Sequence, residues 1–531
     1  MRWIAILELQ LDDKTRYYSH YQVATPAVFY SAKVLRFGSV SREIPRVPDQ
    51  FRIGSISVVL DNSDLEFSKL VDRSTIRNRA ATVKIGKDTS ALQDFTTIYS
   101  GIISEYEIRG TEFEVTILDK LLDRLEQPVG TQLSRTKFTN LPVDQELVYP
   151  PVIYGTVTSV GKSAQGFART IYVDNVAFKY LLCQHGVTSV LNVYRYGVLV
   201  AAANYAVVVD ADGWTLLDFT SDQEDANRKG ETTITADVNG IDKTNPADLV
   251  EHFLLNYCGF VSGDLDSSGF ATAKTAGTAA AMVGAGTTAL QRTRAEFLNQ
   301  MLHSFHMDLF EDRSGKLSIT LYDIGKLAGI SAQKLISDAL NLLPMPRLIS
   351  NTRIITRLQH NYDYDHARDF FYNQPTFTDT TSESLLKSEV RRENVSLWWA
   401  GNTITATYVA RLRQFFSDER AYECDCELPL EEATLDLGQI LRVTHFAGIG
   451  HQGTGWVDNQ VKVIGLAFDL DELKFRARLA DMKARQMLIL GDETKLAAKW
   501  AVASDADRRY AYLGDANVNK FSDGQEIKRL Y

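Results

Sequence analysis

Between Thr111 and Leu118 the sequence TEFEVTIL sets Phe113, Val115 and Ile117 in alternation with Glu112, Glu114 and Thr116. A period of two sends one set of side chains into a core and the other into water, as in a half-buried antiparallel strand. Ile56, Val58 and Leu60 repeat the pattern, and Asp61-Asn62-Ser63-Asp64 supplies the turn that follows. Met1 to Leu11, MRWIAILELQL, is apolar, but Glu8 and Gln10 interrupt it before a signal-peptide core can form, so it reads as another strand. Lys120 to Leu125 reads as the start of a short helix ahead of Pro128 and Gly130.

Further along, the period changes. From Tyr149 to about Phe219, short apolar runs such as Val187–Tyr194 and Tyr205–Val209 are separated by Gly, Asp and Asn turns, giving a second β-rich unit. At Asn245 helical spacing begins, with Pro246 in the first turn, Leu249, Phe253 and Tyr257 on one stripe, and Gly259 as the stop. Gly263 to Thr288 is dominated by Ala, Gly, Ser and Thr and reads as a loop or loose connection, with enough Ala to support a short helix. A second helix spans Thr293 to Phe305, with Phe297, Met301 and Phe305 on one stripe. Met307 to Tyr322 reads as a hairpin turning at Asp312-Arg313-Ser314-Gly315. A large β region then runs from Pro346 to Met482, followed by a polar tail to Tyr531.

At 531 residues the chain holds two to four domains. Apolar residues at 45% and charged residues at 23% exclude a disordered chain, and no run reaches the roughly 20 apolar residues of a membrane span. The net charge of −10 excludes a surface that binds nucleic acid all over. Four cysteines, Cys183, Cys258, Cys424 and Cys426, are too few for a disulfide framework and fit assembly in a reducing cytoplasm.

Each candidate for chemistry has a structural reading beside it. His303 and His306 are spaced to share a metal on one helix, but no Glu completes a His-Glu-x-x-His motif. Cys424 and Cys426 face one side of a strand and lack the second pair of a structural zinc site, so they read as packed thiols. His445 and His451 flank or enter AGIGHQGTG, 447–455, which lacks the lysine of a phosphate loop and reads as a flexible connection. Gly54-Ser55-Ile56-Ser57 and Ser262-Gly263-Asp264 do not complete a nucleophile elbow. Glu431-Glu432, or Asp425 with Glu427, could serve glycoside hydrolysis, yet among 67 acidic residues proximity selects none of them. Trp398-Trp399 fits a carbohydrate platform or a core, and burial is the reading preferred. The sequence thus assigns no catalytic, cofactor-binding or metal-ligating residue.

Several stretches resemble one known group. IYSGIISEYEIRGTEFEVTILDKLLDRL (98–125) resembles the first barrel of the baseplate or tail-tip hub proteins of long-tailed bacteriophages, and YPPVIYGTV (149–157) the junction after it. FLLNYCGF (253–260) and FLNQMLHSFHMDLFEDRSGKLSITLYD (297–323) are similar to their helical insert. LDLGQILRVTHFAGIG (435–450) and WVDNQVKVIGLAFDLDELKFRARLADM (456–482) are similar to their returning barrel. The long Ala/Gly segment and the polar tail depart from the pattern.

With this resemblance the fold expected is mainly β with α insertions (α+β) and multi-domain, with tail-tube-like β-barrels. The divisions are a first β-barrel domain at 1–128, a second β-rich domain at 129–230, a helical insert with hairpin at 231–345, a returning β-barrel domain at 346–482 and a polar tail at 483–531. Residues 1–230 and 346–482 are expected to face a common axis. The resemblance implies a non-enzymatic hub in the virion, assembled in the host cytoplasm, that caps the tail tube and lines the DNA path. It implies a homotrimeric ring that touches tail-tube or distal tail protein, tape measure protein, and tip or fibre proteins, with DNA only in transit. Alternatives are a tail-associated cell-wall hydrolase and a carbohydrate-binding receptor module. The tail beyond Asp505, with anchors at Tyr512, Phe521, Ile527, Leu530 and Tyr531, reads as an arm that orders on a partner, or as a frayed end.

Overall fold

In the computed structural model of the protein, residues 2–481 are described apart from internal stretches, the longest being 45–53, 225–232, 322–333, 338–346 and 446–455. The loop 447–455 with His451, and the tail 483–531, lie outside the described residues. The chain is mainly β with α insertions. No described helix is long and apolar enough to cross a membrane.

The first sheet has nine strands. Its order runs Val23–Ala24, Phe29–Ala32, Lys14–Ser19, Trp3–Leu11, Ala80–Lys87, Thr96–Arg109, Glu112–Leu118, Ser55–Asp61 and Val34–Arg36. The alternation in TEFEVTIL holds, since Phe113, Val115 and Ile117 are buried while their neighbours are half-exposed. A helix at Glu66–Arg73 covers this face, stacking Phe67 on Phe113 with ring centroids 4.8 Å apart. Asn62 starts it, because its side chain accepts from the Phe67 N–H at 3.0 Å.

A second large sheet is built from late residues, in the order Leu335–Ser337, Ile440–His445, Trp456–Asp469, Lys474–Asp481, Tyr422–Leu428 and Arg347–Ser350. One early strand joins it. After Val34–Arg36 the chain turns at Gly38, with φ +66°, where a Cβ would lie 2.9 Å from the Ser57 carbonyl oxygen. That turn lets Ser39–Glu43 leave the first sheet and pair with Trp456–Asp469, from Ser39 opposite Asp469 to Glu43 opposite Gly465. Asp471 pins the crossing by accepting from the Phe37 N–H at 2.9 Å and contacting His20 at 3.0 Å. One apolar core therefore runs through both sheets, from Leu7 and Val115 to Leu441, Val463 and Leu479. The expected barrels are not closed among the described residues, because the order of each sheet ends on open edges.

Between these regions lie two further bodies. In the first, a five-stranded sheet faces a four-stranded one across Phe167, Tyr180, Leu182, Val193, Leu217 and Val238. The second is helical. Pro246–Tyr257 forms as the sequence predicts, capped by the Asn245 side chain and stopped at Gly259 with φ +73°. Arg294–Phe305 starts with a reciprocal Thr293/Glu296 cap and ends at His306 in the left-handed region. Asp308–Glu311 and Leu317–Thr320 make the expected hairpin.

Two segments differ from expectation. Ser267–Ala279, read as a loop or loose connection with enough Ala for a short helix, is a 13-residue helix capped by Asp266 and burying Phe270, Ala273 and Ala276. Its small residues serve close packing: a Cβ on Gly277 would lie 3.1 Å from the Asn245 side chain. Thr403–Phe416, inside the region read as β, is a 14-residue helix. With the strands Arg357–Asp365 and Arg392–Ser396 it packs into the helical body's core beside Phe305 and Trp399.

Candidate assembly surface

The residues singled out for chemistry are mostly held in structural roles. Asp425 and Glu427 lie directly opposite Arg478 and Arg476 on the neighbouring strand, at 3.0 Å and 3.7 Å, as cross-strand ion pairs. Glu431 faces Lys87 at 3.5 Å, and Glu432 pairs with Lys334. Cys424 and Cys426 are buried side by side, and the hydrogen bond with Cys424, together with burial, pushes the Cys426 thiol well above its ordinary pKa. Such a thiol is a poor nucleophile. His303 stands beside Trp398, ring centroids 6.0 Å apart, whereas His306 is buried at the helix end. His445 is buried on its strand. No group of three or more His, Cys, Asp or Glu among the described residues could hold a metal. Trp399 is fully buried against Gly286 and Trp398 partly so, which is the core reading of that pair.

Two features were not legible in the sequence. The seam between the first sheet and the hairpin holds a cleft of about 230 Å³ lined by Arg42, Tyr99, Phe310, Glu311 and Leu437. Its polar groups are engaged: Arg42 pairs with Asp436 at 2.8 Å, and the Tyr99 hydroxyl donates to the Gly54 carbonyl at 2.6 Å. The cleft falls below the roughly 300–1,000 Å³ of small-molecule sites.

The second feature is a surface. Residues 198–209, VLVAAANYAVVV, contain no charge, and ten of the twelve are exposed. Val198 is 70% exposed, Leu199 61%, Val207 46%, Val208 40% and Val209 55%. Val198–Leu199 is the outermost strand of the five-stranded sheet, and Tyr205–Val209 the outermost of the four-stranded sheet. The next strand inward, Thr215–Phe219, buries Leu216 and Leu217 on its opposite faces. Tyr205–Val209 thus projects past the core, and only Tyr205 is braced, 5.7 Å from the Phe219 ring.

Main-chain geometry sharpens this. Tyr205 lies opposite Phe219 and Val209 opposite Thr215. Asn204 accepts from the Thr220 N–H at 3.3 Å, and the Asp210 N–H donates to Trp214 at 2.9 Å. An antiparallel ladder bonds inward at every second residue, so even positions face the sheet and Tyr205, Val207 and Val209 aim their N–H and C=O outward. Natural edges are blunted by charge, Pro or bulges. This one carries none.

No family model matches the sequence, and no curated protein matches it. Among solved structures the chain is similar to a tail protein from Neisseria meningitidis, at 8% identity and TM-score 0.41 over 91% of this chain and 97% of that one. It is similar to a 43 kDa prophage tail protein from Shewanella oneidensis, at 10% identity and TM-score 0.38 over 90% and 98%. A prophage tail protein from Listeria monocytogenes aligns at 8% identity and TM-score 0.37 over 90% and 94%. All three are tail proteins, two of them from prophages.

Proposed function

We propose that the chain is a structural, non-enzymatic hub of a phage tail tip, residing in the virion. The observation that carries the assembly role is the charge-free exposed strip on two sheet edges, a surface suited to another protein and to no small substrate. Its identification as a hub rests on the ordered sequence patterns from Ile98 to Met482. In this reading the two large sheets, fused by the Ser39–Glu43 crossing, form the part that meets the tail tube, and their open edges close into barrels when copies assemble as a ring of three. The second β-rich body faces the same axis, tip or fibre proteins attach to the ring, and DNA passes through the lumen.

The test is cryo-electron microscopy of intact particles with this chain located, alongside a glycan-release assay on purified protein. A ring of this chain at the tube's end, with no glycan released, is expected. Absence of the chain from the tail tip, or hydrolysis by the pure chain, overturns the proposal.

A further inference from the structure

We infer that the joint between the second β-rich body and the helical body is an acid-sensitive latch: protonation of His185, with His252 beside it, releases the segment that the two bodies share.

That segment is Val152 to Tyr154. A period of two sends Val152 and Tyr154 into the helical core and Ile153 into the core between the five- and four-stranded sheets. Its main chain is held from both sides. On the helical side Ile153–Tyr154 pairs with Gly286–Thr287, and the Val152 N–H donates to the Thr288 hydroxyl at 2.8 Å. On the other side the Ile153 C=O accepts from the Ile241 N–H at 2.9 Å, and the Ile153 N–H donates to Nε2 of His185 at 2.9 Å.

These partners fix where the imidazole carries its proton. Nδ1 of His185 lies 2.8 Å from the Gly186 carbonyl, which can only accept, so the proton sits on Nδ1 and Nε2 offers its lone pair to Ile153. A second proton has only Nε2 to occupy, where it meets the Ile153 N–H. Protonation therefore breaks this bond and leaves a buried main-chain N–H without its acceptor. His252, on the helix Pro246–Tyr257, holds the hydroxyl of the buried Tyr154 at 3.0 Å through its own Nδ1.

The surroundings offer neither imidazolium a counter-charge. Burial holds both imidazoles below 6.5, His252 opposes a charge on His185, and Lys243 opposes one on His252. The other titratable groups at the joint are Tyr154, Tyr257, Cys183 and Cys258, which burial keeps neutral. Asp248 and Glu251, on the same helix as His252, are engaged by Lys274 at 2.8 Å and 2.6 Å. The open joint, with both imidazoles in water, thus binds protons that the closed joint refuses, and acid favours opening. A separate contact keeps the body attached: Lys162 pairs with Asp363, and Phe167 stacks on Tyr372 with ring centroids 5.2 Å apart.

Hydrogen exchange of the full chain, read by mass spectrometry at pH 7.5 and 5.5 and corrected for intrinsic rates, tests the latch. An imidazole that stays neutral when closed and titrates near 6.5 when open raises the opening equilibrium about tenfold over that interval, and two raise it about a hundredfold. Peptides covering 149–157 and 183–189 should lose protection by about tenfold or more at pH 5.5, while the strand Glu112–Leu118 in the first sheet keeps its own. His185→Gln places at Nε2 an acceptor that takes no proton, and His252→Asn does so at Nδ1. His185→Gln alone should shrink the loss by about tenfold, and the double variant should abolish it. Unchanged protection at pH 5.5, an equal loss in Glu112–Leu118, or a loss that persists in the double variant overturns the inference. If the double variant does not fold, a loss of undiminished size in His185→Gln alone does the same.

Discussion

Lys462 and Asp308 form an ion pair with side-chain exposures of 2% and 1%, joining the second large sheet to the hairpin of the helical body. Burial raises the Asp308 carboxyl above its ordinary pKa although the Lys462 ammonium pulls it down. Lys462→Met removes the counter-charge and leaves the carboxylate its bond from Thr320, 3.5 Å away. An uncompensated buried carboxylate protonates instead of staying charged. Holding a carboxyl of ordinary pKa neutral at pH 7 costs about 1.4 kcal/mol for each of about three pH units, or about 4 kcal/mol. That value falls inside the roughly 3–5 kcal/mol seen when buried pairs are broken. The cost should shrink to about 1.5 kcal/mol at pH 5, where less work is needed to protonate the group. Urea unfolding followed by tryptophan fluorescence reads it, since Trp399 sits in the same core as Leu309. The double variant Asp308→Leu/Lys462→Met should recover most of the loss, because an apolar pair of similar volume is often neutral. A cost below about 1 kcal/mol at pH 7, or one that does not change with pH, refutes the argument.

His306 is buried, and burial together with the charges of Arg413, Lys462 and His303 holds its imidazole well below 6.5. The unfolded chain therefore binds the extra proton as pH falls below about 6.5, and the native state loses about 1.4 kcal/mol per pH unit until the folded pKa is reached. His306→Asn, which tolerates φ +55°, should flatten the acid limb of the stability profile by about one proton in urea titrations from pH 7 to 5. Thr293→Ala removes the reciprocal cap and should cost about 1 kcal/mol in thermal unfolding, with Thr293→Ser restoring it. Gly101→Ala puts a Cβ 2.3 Å from the Leu118 carbonyl oxygen and should cost about 1–3 kcal/mol in the same assay.

Where local chemistry decides an element, the sequence declared it. Asn245-Pro246 and Thr293 with Glu296 are cap signals, and both helices begin there. The alternation at Phe113, Val115 and Ile117 appears as the burial pattern of the strand. Where tertiary contact decides, the sequence was silent. Thr403, Ile404, Thr405 and Tyr408 favour strands by composition, yet Ala406, Val409 and Ala410 line a helical face buried against the helical core. In Ser267–Ala279, glycine and alanine suggested weak burial, but they allow close approach: a Cβ at Gly269 would lie 2.4 Å from the Ser318 hydroxyl. The Lys462–Asp308 pair spans 154 residues and leaves no local trace.

The strip at 198–209 was illegible for a different reason. A short, uninterrupted apolar run is also what a fully buried central strand looks like, and only the place of Tyr205–Val209 in the sheet order separates the two. Elsewhere the chain prepares a solvent face with charge: Lys474–Asp481 alternates buried Phe475, Ala477 and Leu479 with outward Lys474, Arg476 and Arg478. Two of those outward residues pair with Glu427 and Asp425 across the ladder. Apolar residues that stay exposed on both faces of an edge forfeit roughly 25 cal/mol for each Å² left in water. A chain that guards one solvent face with charge and leaves another bare differs between the two in what covers them. A strand laid along Tyr205–Val209 would satisfy its outward main chain as well as cover its valines.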